Sequence, residues 1–154
     1  MIDNILVLYI IPNMSVHQVV IDTNVFVSAL RSRRGASYKL FMLIGSGKFE
    51  INISVSLILE YEDAAKDLMG ETPLSEGDIE GILDYICAAA KHRKVFYLWR
   101  PLLRDPKDDM VLELAVSANC DCIVTYNKGH FRDAEHFGLG VFTPKEFLEE
   151  IGEL

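Results

Sequence analysis

The sequence offers little for covalent or thiolate scaffolding. It has three cysteines, Cys87, Cys120 and Cys122, and no C-x-x-C pair. An odd count at this spacing gives neither a disulfide framework nor a zinc site, and it suits reduced thiols in a cytoplasmic protein. Long apolar runs are also missing. The longest early one, Ile5 to Ile11, is too short to span a bilayer. It lacks the basic leader and small-residue cleavage site of a signal peptide, so no membrane association is expected. Positive charge is in short supply: 15 Lys and Arg against 23 Asp and Glu leave a formal net charge of -8. That balance argues against a broad surface for coating nucleic acid. Local binding stays open, because acids clustered around a cation contribute to the same total.

What is present suits one α/β domain. The chain has 154 residues, half of them hydrophobic, enough for a sizeable core. Residues 14–154 read as a single domain. Residues 1–13 read as an upstream extension, a misassigned start or an added edge strand, alternatives that the sequence leaves open. Strand patterns at Val19–Asp22, Phe49–Ile53, Val95–Leu98, Asp121–Thr125 and Gly140–Thr143 alternate with helical ones. The helices are expected over Ser37–Ile44, from about Ser54 or Ser56 to Met69, and from Ser75 to a basic end at Lys91–Lys94. Another starts at Asp105-Pro106, with Asp105 as N-cap and Asp108 at the third position, and a short one opens at Pro144. This alternation predicts a parallel sheet flanked by helices, with the strand C-termini on one edge.

Three acids could meet at that edge. The run Val19-Val20-Ile21 stops at Asp22, which a buried strand would deliver to its C-terminal end. Glu60 lies about a turn inside the helix after the second strand, and Asp108 in the first turn of a later helix. Converging carboxylates repel unless a cation lies among them or some stay protonated. Hard divalent ions take oxygen ligands, and such an ion acidifies a bound water and neutralises a scissile phosphate, which suits phosphodiester hydrolysis. Each acid also has a plainer reading. Asp22 can cap the next segment or form an Asx-turn, Glu60 can sit on a solvated acidic face with Glu62, Asp63 and Asp67, and Asp105, Asp108 and Asp109 can stabilise a helix N-terminus.

The chain resembles the PIN-domain family of metal-dependent ribonucleases, and within it the prokaryotic toxin components of toxin–antitoxin systems. The resemblance runs from Val19 to Phe147. It is carried by Val20-Ile21-Asp22-Thr23-Asn24-Val25-Phe26-Val27-Ser28-Ala29-Leu30, Ser56-Leu57-Ile58-Leu59-Glu60-Tyr61 and Arg104-Asp105-Pro106-Lys107-Asp108-Asp109. Ile123-Val124-Thr125-Tyr126-Asn127 and Val141-Phe142-Thr143-Pro144-Lys145-Glu146-Phe147 follow in the family's order. It implies a three-layer α/β/α fold with a mainly parallel sheet, an acidic pocket for Mg²⁺ or Mn²⁺, and cleavage of single-stranded RNA. It also implies a homodimer and an antitoxin protein as partner. Asp22, Glu60 and Asp108 match the family's acids, with Asp109 the alternative to Asp108. Asp108 is preferred because helical spacing puts it on one face with Leu112 and Ala115. Many relatives carry a fourth acid where this chain has Asn127, which can supply a neutral oxygen or hold a metal-bound water but adds no charge. Thr23, Asn24 and Thr125 are expected to orient the acids by hydrogen bonds.

Basic residues flank these elements: Arg31, Arg33, Arg34 and Lys39 after Asp22; Arg100, Arg104 and Lys107 around Asp108; Lys128, His130 and Arg132 after Asn127. They read either as solvated loops or as contacts to an RNA backbone, with Arg31, Arg33, Arg34, Arg104 and Lys128 the candidates for the latter. His130 reads as a surface histidine or a proton-transfer group, and Trp99 and Tyr126 as packing or base-stacking residues. The competing reading is a non-catalytic RNA-binding or protein-interaction module on the same fold. A phosphoryl-receiver domain is a weaker third, with Lys128 as its one candidate phosphate partner.

Overall fold

A computed structural model describes residues 16–95 and 106–154. The expected extension at residues 1–13, the strand at Val95–Leu98 beyond its first residue, and Trp99, Arg100, Arg104 and Asp105 lie outside the described residues. Five parallel strands form the sheet: β1 (His17–Ile21), β2 (Phe49–Ile53), β3 (Lys91–His92), β4 (Cys122–Val124) and β5 (Gly140–Phe142), in the order β3-β2-β1-β4-β5. The helices are α1 (Thr23–Arg31), α2 (Ala36–Met42), α3 (Val55–Asp67), α4 (Glu76–Ala89), α5 (Pro106–Ser117) and α6 (Pro144–Glu150). A 3₁₀ segment, Lys128–Phe137, joins β4 to β5.

The layering follows from the connections. The chain moves from β1 to β2 to β3 in one direction, through α1–α2 and then α3–α4, and right-handed crossovers set these helices on one face. It then returns across the sheet to β4, so α5 belongs to the other face, where it packs on β1, β2 and β4 and on the 3₁₀ segment. Central strands covered on both sides have no solvent face. Val19, Val20 and Ile21 are all buried, as are Cys122, Ile123 and Val124. Cys120 and Cys122 are free thiols inside this core, and burial pushes the Cys120 thiol up to about 12, which keeps it protonated and unreactive.

Local chemistry sets the helix ends. Ser75 and Thr143 each form a capping box, with Asp78 and Glu146 returning the hydrogen bond. Gly138 closes the 3₁₀ segment at φ 74°, a left-handed conformation that an L side chain resists.

The structure departs from the sequence reading in two places. The helix begun at Ser75 ends at Ala89, and Ala90 is already extended. Lys91 and His92 then pair with Asn52 and Ile53 as the edge strand β3 instead of closing the helix. The Lys91 charge suits a helix C-terminus and a blunted sheet edge equally well. The second difference is α1, since the sequence reading placed no helix between Asp22 and Ser37. Val25, Phe26 and Ala29 instead form its buried stripe, and Arg31 is its last residue.

Candidate functional site

The sheet order reverses direction between β1 and β4, and open α/β sheets hold ligands outside the strand C-termini at such a point. Register then decides which side chains meet there. Ile21 lies opposite Val124, and the Asp22 N–H donates to the Val124 carbonyl (2.9 Å), so Asp22 emerges beside Thr125.

Asp22 is buried and held from two sides. One oxygen accepts from its neighbour's backbone N–H at Thr23 (2.8 Å), making Asp22 the N-cap of α1. The other accepts from the Thr125 hydroxyl (2.8 Å). The Thr125 oxygen in turn accepts from the Asn127 N–H (3.0 Å) and from the Asn24 side-chain amide (3.4 Å), while the Asn24 oxygen accepts from the Tyr126 N–H (3.3 Å). Asn24 and Thr125 thus bind the end of β1 to the end of β4, while the Thr23 N–H holds Asp22 locally. Beneath them the hydroxyl of buried Tyr61 donates to the Ile21 carbonyl. Burial raises the Asp22 carboxyl above its usual range; the bonds from Thr125 and Thr23 and the nearby His130 oppose this, and the neighbouring Asp108 charge adds to it.

A cleft of about 610 Å³ opens over these groups. Asp22, Glu60, Asp108 and Asn127 all line it, together with Asp63 and Asp67 of α3, Lys107 of α5 and Arg31 of α1. The spacing of Glu60, Asp63 and Asp67 puts them along one ridge of α3. Each of the three central acids also has a protein partner: Asp22 as above, Glu60 with the Lys107 ammonium (3.1 Å), and Asp108 with the His130 imidazole Nδ1 (3.1 Å).

The other candidates are dispersed. Asp109 is half-buried on α5 and does not line the cleft. Arg31 lines it while bridging to Glu71 (3.0 Å). Arg33 lines a separate groove of about 630 Å³ with Phe26, Leu30, Tyr38, Phe41 and Tyr85. Arg34 is exposed in the turn before α2, and Lys128 pairs with Glu146 (3.0 Å). Tyr126 packs its hydroxyl on that of Ser37 (2.6 Å), a contact that leaves the ring about half exposed. Local pattern left His130 and Lys107 out of the leading site residues, although both touch site acids. Their contacts cross 22 and 47 positions of chain, beyond the reach of any local pattern.

The sequence matches the PIN-domain family over residues 18–129. This chain belongs to the PIN-domain family. PIN domains are generally nucleases and usually use divalent metal ions. Among solved structures the PIN domain matches a chain in the crystal structure of VapBC2 from Rickettsia felis bound to a DNA fragment from their promoter. The TM-score is 0.53 at 15% sequence identity, over 80% of this chain and 98% of that one, a likeness of fold. No curated protein matches the sequence.

The donor chemistry of this PIN domain fits a hard divalent ion. Asp22, Asp108, Glu60 and Asn127 offer oxygen atoms to one cleft, and the Asp22–Asp108 repulsion is of the kind that a cation relieves. Among the described residues no three His, Cys, Asp or Glu side chains already converge as a finished metal site. With Glu60 turned to Lys107 and Asp108 to His130, protein cations and donors now take part of the charge that a metal would take.

Proposed function

We propose that this PIN domain is a divalent-metal-dependent endoribonuclease acting on single-stranded RNA, and the toxin of a toxin–antitoxin pair. The observation that carries the reading is the single cleft shared by Asp22, Glu60, Asp108 and Asn127, built at the point where the sheet order reverses. In this reading residues 14–154 form one nuclease domain, and Mg²⁺ or Mn²⁺ is held by Asp22, Glu60 and Asp108, with Asn127 adding a neutral oxygen. When bound, the ion supplies an acidified water as nucleophile and neutralises charge on the scissile phosphate.

The protein's own part is placement. The Thr125 hydroxyl and the Thr23 N–H fix the Asp22 carboxylate before any ligand arrives, so little is lost to reorganisation. Lys107 lies in the first turn of α5, where a phosphate entering the cleft can draw its ammonium away from Glu60 and leave that carboxylate to the cation. Arg31 flanks the same cleft on α1 and is suited to a neighbouring phosphate. Arg33, Arg34 and Lys128 would act on RNA beyond the cleft, and Arg104, outside the described residues, is kept as a candidate contact to the RNA backbone.

The partnership is supported by the fold shared with a chain of VapBC2. An antitoxin partner and self-association into a homodimer belong to the same proposal. So does a cytoplasmic location, which agrees with the free thiols. Asn127 in place of a fourth acid favours one alternative, a non-catalytic RNA-binding or protein-interaction module. Cleavage of varied single-stranded RNAs by the pure protein in Mn²⁺ or Mg²⁺ separates the two: the nuclease reading requires cleavage that chelation stops and Asp22→Asn abolishes. Binding without cleavage under every condition supports the alternative.

A further inference from the structure

His130 stands outside the cleft lining, yet it touches the acid at its centre. Its Nδ1 lies 3.1 Å from Oδ2 of Asp108. An ionised carboxylate, the form that a metal ligand takes, can only accept, and the matching tautomer carries its hydrogen on Nδ1. The imidazole is more than half exposed and Asp108 is buried, so the contact joins a surface ring to an interior acid. The backbone fixes where that ring stands. The His130 N–H donates to the Asn127 carbonyl (2.9 Å), and the next residue, Phe131, is buried in the core.

One short stretch therefore reaches two acids. Thr125 binds Asp22, the Asn127 N–H binds Thr125, the turn at Asn127 carries His130, and His130 binds Asp108. Asp22 and Asp108 come from different elements, β1 and α5, separated by more than eighty residues of sequence. The segment 125–130 is the common brace between them. Carboxylate torsions are broad and nearly two-fold, and the hydrogen bond from His130 to Oδ2 narrows that of Asp108.

We propose that His130 is a positioning residue for Asp108: its Nδ1–H helps hold the carboxylate plane in which Asp108, together with Asp22, would face a divalent cation. The inference rests on the nuclease reading above, and it assigns His130 no contact with RNA and no proton transfer.

The test is Mn²⁺ binding by the full chain, followed through the loss of the free-ion electron paramagnetic resonance signal. His130→Ala should weaken binding by about 10–100-fold, the range for losing an outer hydrogen-bond partner of a ligand, with a melting temperature close to that of the unaltered protein. His130→Asn places an amide N–H near the Nδ1 position and should restore most of the affinity. His130→Gln places it near Nε2 and should not. Unchanged affinity in His130→Ala overturns the proposal, as does a failure of His130→Asn to bind better than His130→Ala. An unaltered protein that takes up no Mn²⁺ overturns the nuclease reading and this inference with it, whereas tight binding indifferent to position 130 overturns this inference alone.

Discussion

Asp22 carries two duties that the right pair of substitutions can separate. It caps α1 and accepts the Thr125 hydroxyl, and in the proposed mechanism it holds the cation. Asp22→Asn keeps the cap, since Asn and Asp are about equally good N-caps, and it exchanges the bond accepted from the Thr125 hydroxyl for one donated to the Thr125 oxygen in place of the long bond from the Asn24 amide (3.4 Å). Asp22→Ala loses the cap, at about 0.5–2 kcal/mol, and strands the buried Thr125 hydroxyl, at about 1–3 kcal/mol. Both substitutions also remove a buried charge that faces Asp108, and that relief offsets part of the loss. Asp22→Asn is therefore expected to melt at or above the temperature of the unaltered protein. Asp22→Ala should melt lower by roughly 2–4 °C for each kcal/mol in a chain of this size. Both should lose cleavage by more than the roughly 100-fold expected from an outer partner.

The pH dependence gives a second check on the same pair. The folded carboxyl sits above its unfolded value, so the ionised form penalises folding. The penalty is fully present above the folded pKa and vanishes as pH falls through it toward the unfolded one. The advantage of Asp22→Asn in melting temperature should accordingly be largest near neutral pH and shrink on acidification, measured by differential scanning calorimetry without added metal. An Asp22→Asn protein that is strongly destabilised at neutral pH, or whose advantage grows in acid, refutes the reasoning about this side chain.

Other substitutions test separate parts of the account. Lys107→Ala removes an exposed partner of Glu60, so stability should change by less than about 0.5 kcal/mol. If Lys107 meets an RNA phosphate, the slope of log affinity against log salt should drop by about 0.7 for an uncleaved single strand, measured by fluorescence anisotropy. Tyr61→Phe leaves the Ile21 carbonyl without its hydroxyl donor directly beneath Asp22 and should cost about 1–3 kcal/mol in urea denaturation. Thr143→Ala breaks the capping box of α6 and should cost about 1 kcal/mol with cleavage unaffected.

Much of this architecture could be read from local pattern. The apolar stop at Asp22, the Pro106 start of α5 and the Ser75 and Thr143 caps are each written within a few residues, and the strands and helices follow from them. Parallel topology then carries Asp22 and Asn127 to one edge, and Glu60 and Asp108 reach the same cleft. What escaped is non-local or ambiguous in kind. Only Ser28 interrupts the apolar stretch Val25 to Leu30, so no clear period marks it as helix α1, and Lys91 serves a helix end and an edge strand alike. His130 looks like any surface histidine until the 3₁₀ segment packs it against α5. The acids proved less isolated than the repulsion argument supposed. Each central carboxylate is supplied with a donor or a cation by the protein itself, so the cleft can form before a metal arrives.

The most direct measurement is anomalous diffraction from crystals soaked in Mn²⁺. A peak inside the cleft, coordinated by carboxylate oxygens of Asp22 and Asp108, with Glu60 released from Lys107, is the predicted result. A saturating soak that leaves the cleft without anomalous density, and the Lys107–Glu60 and His130–Asp108 pairs intact, contradicts it.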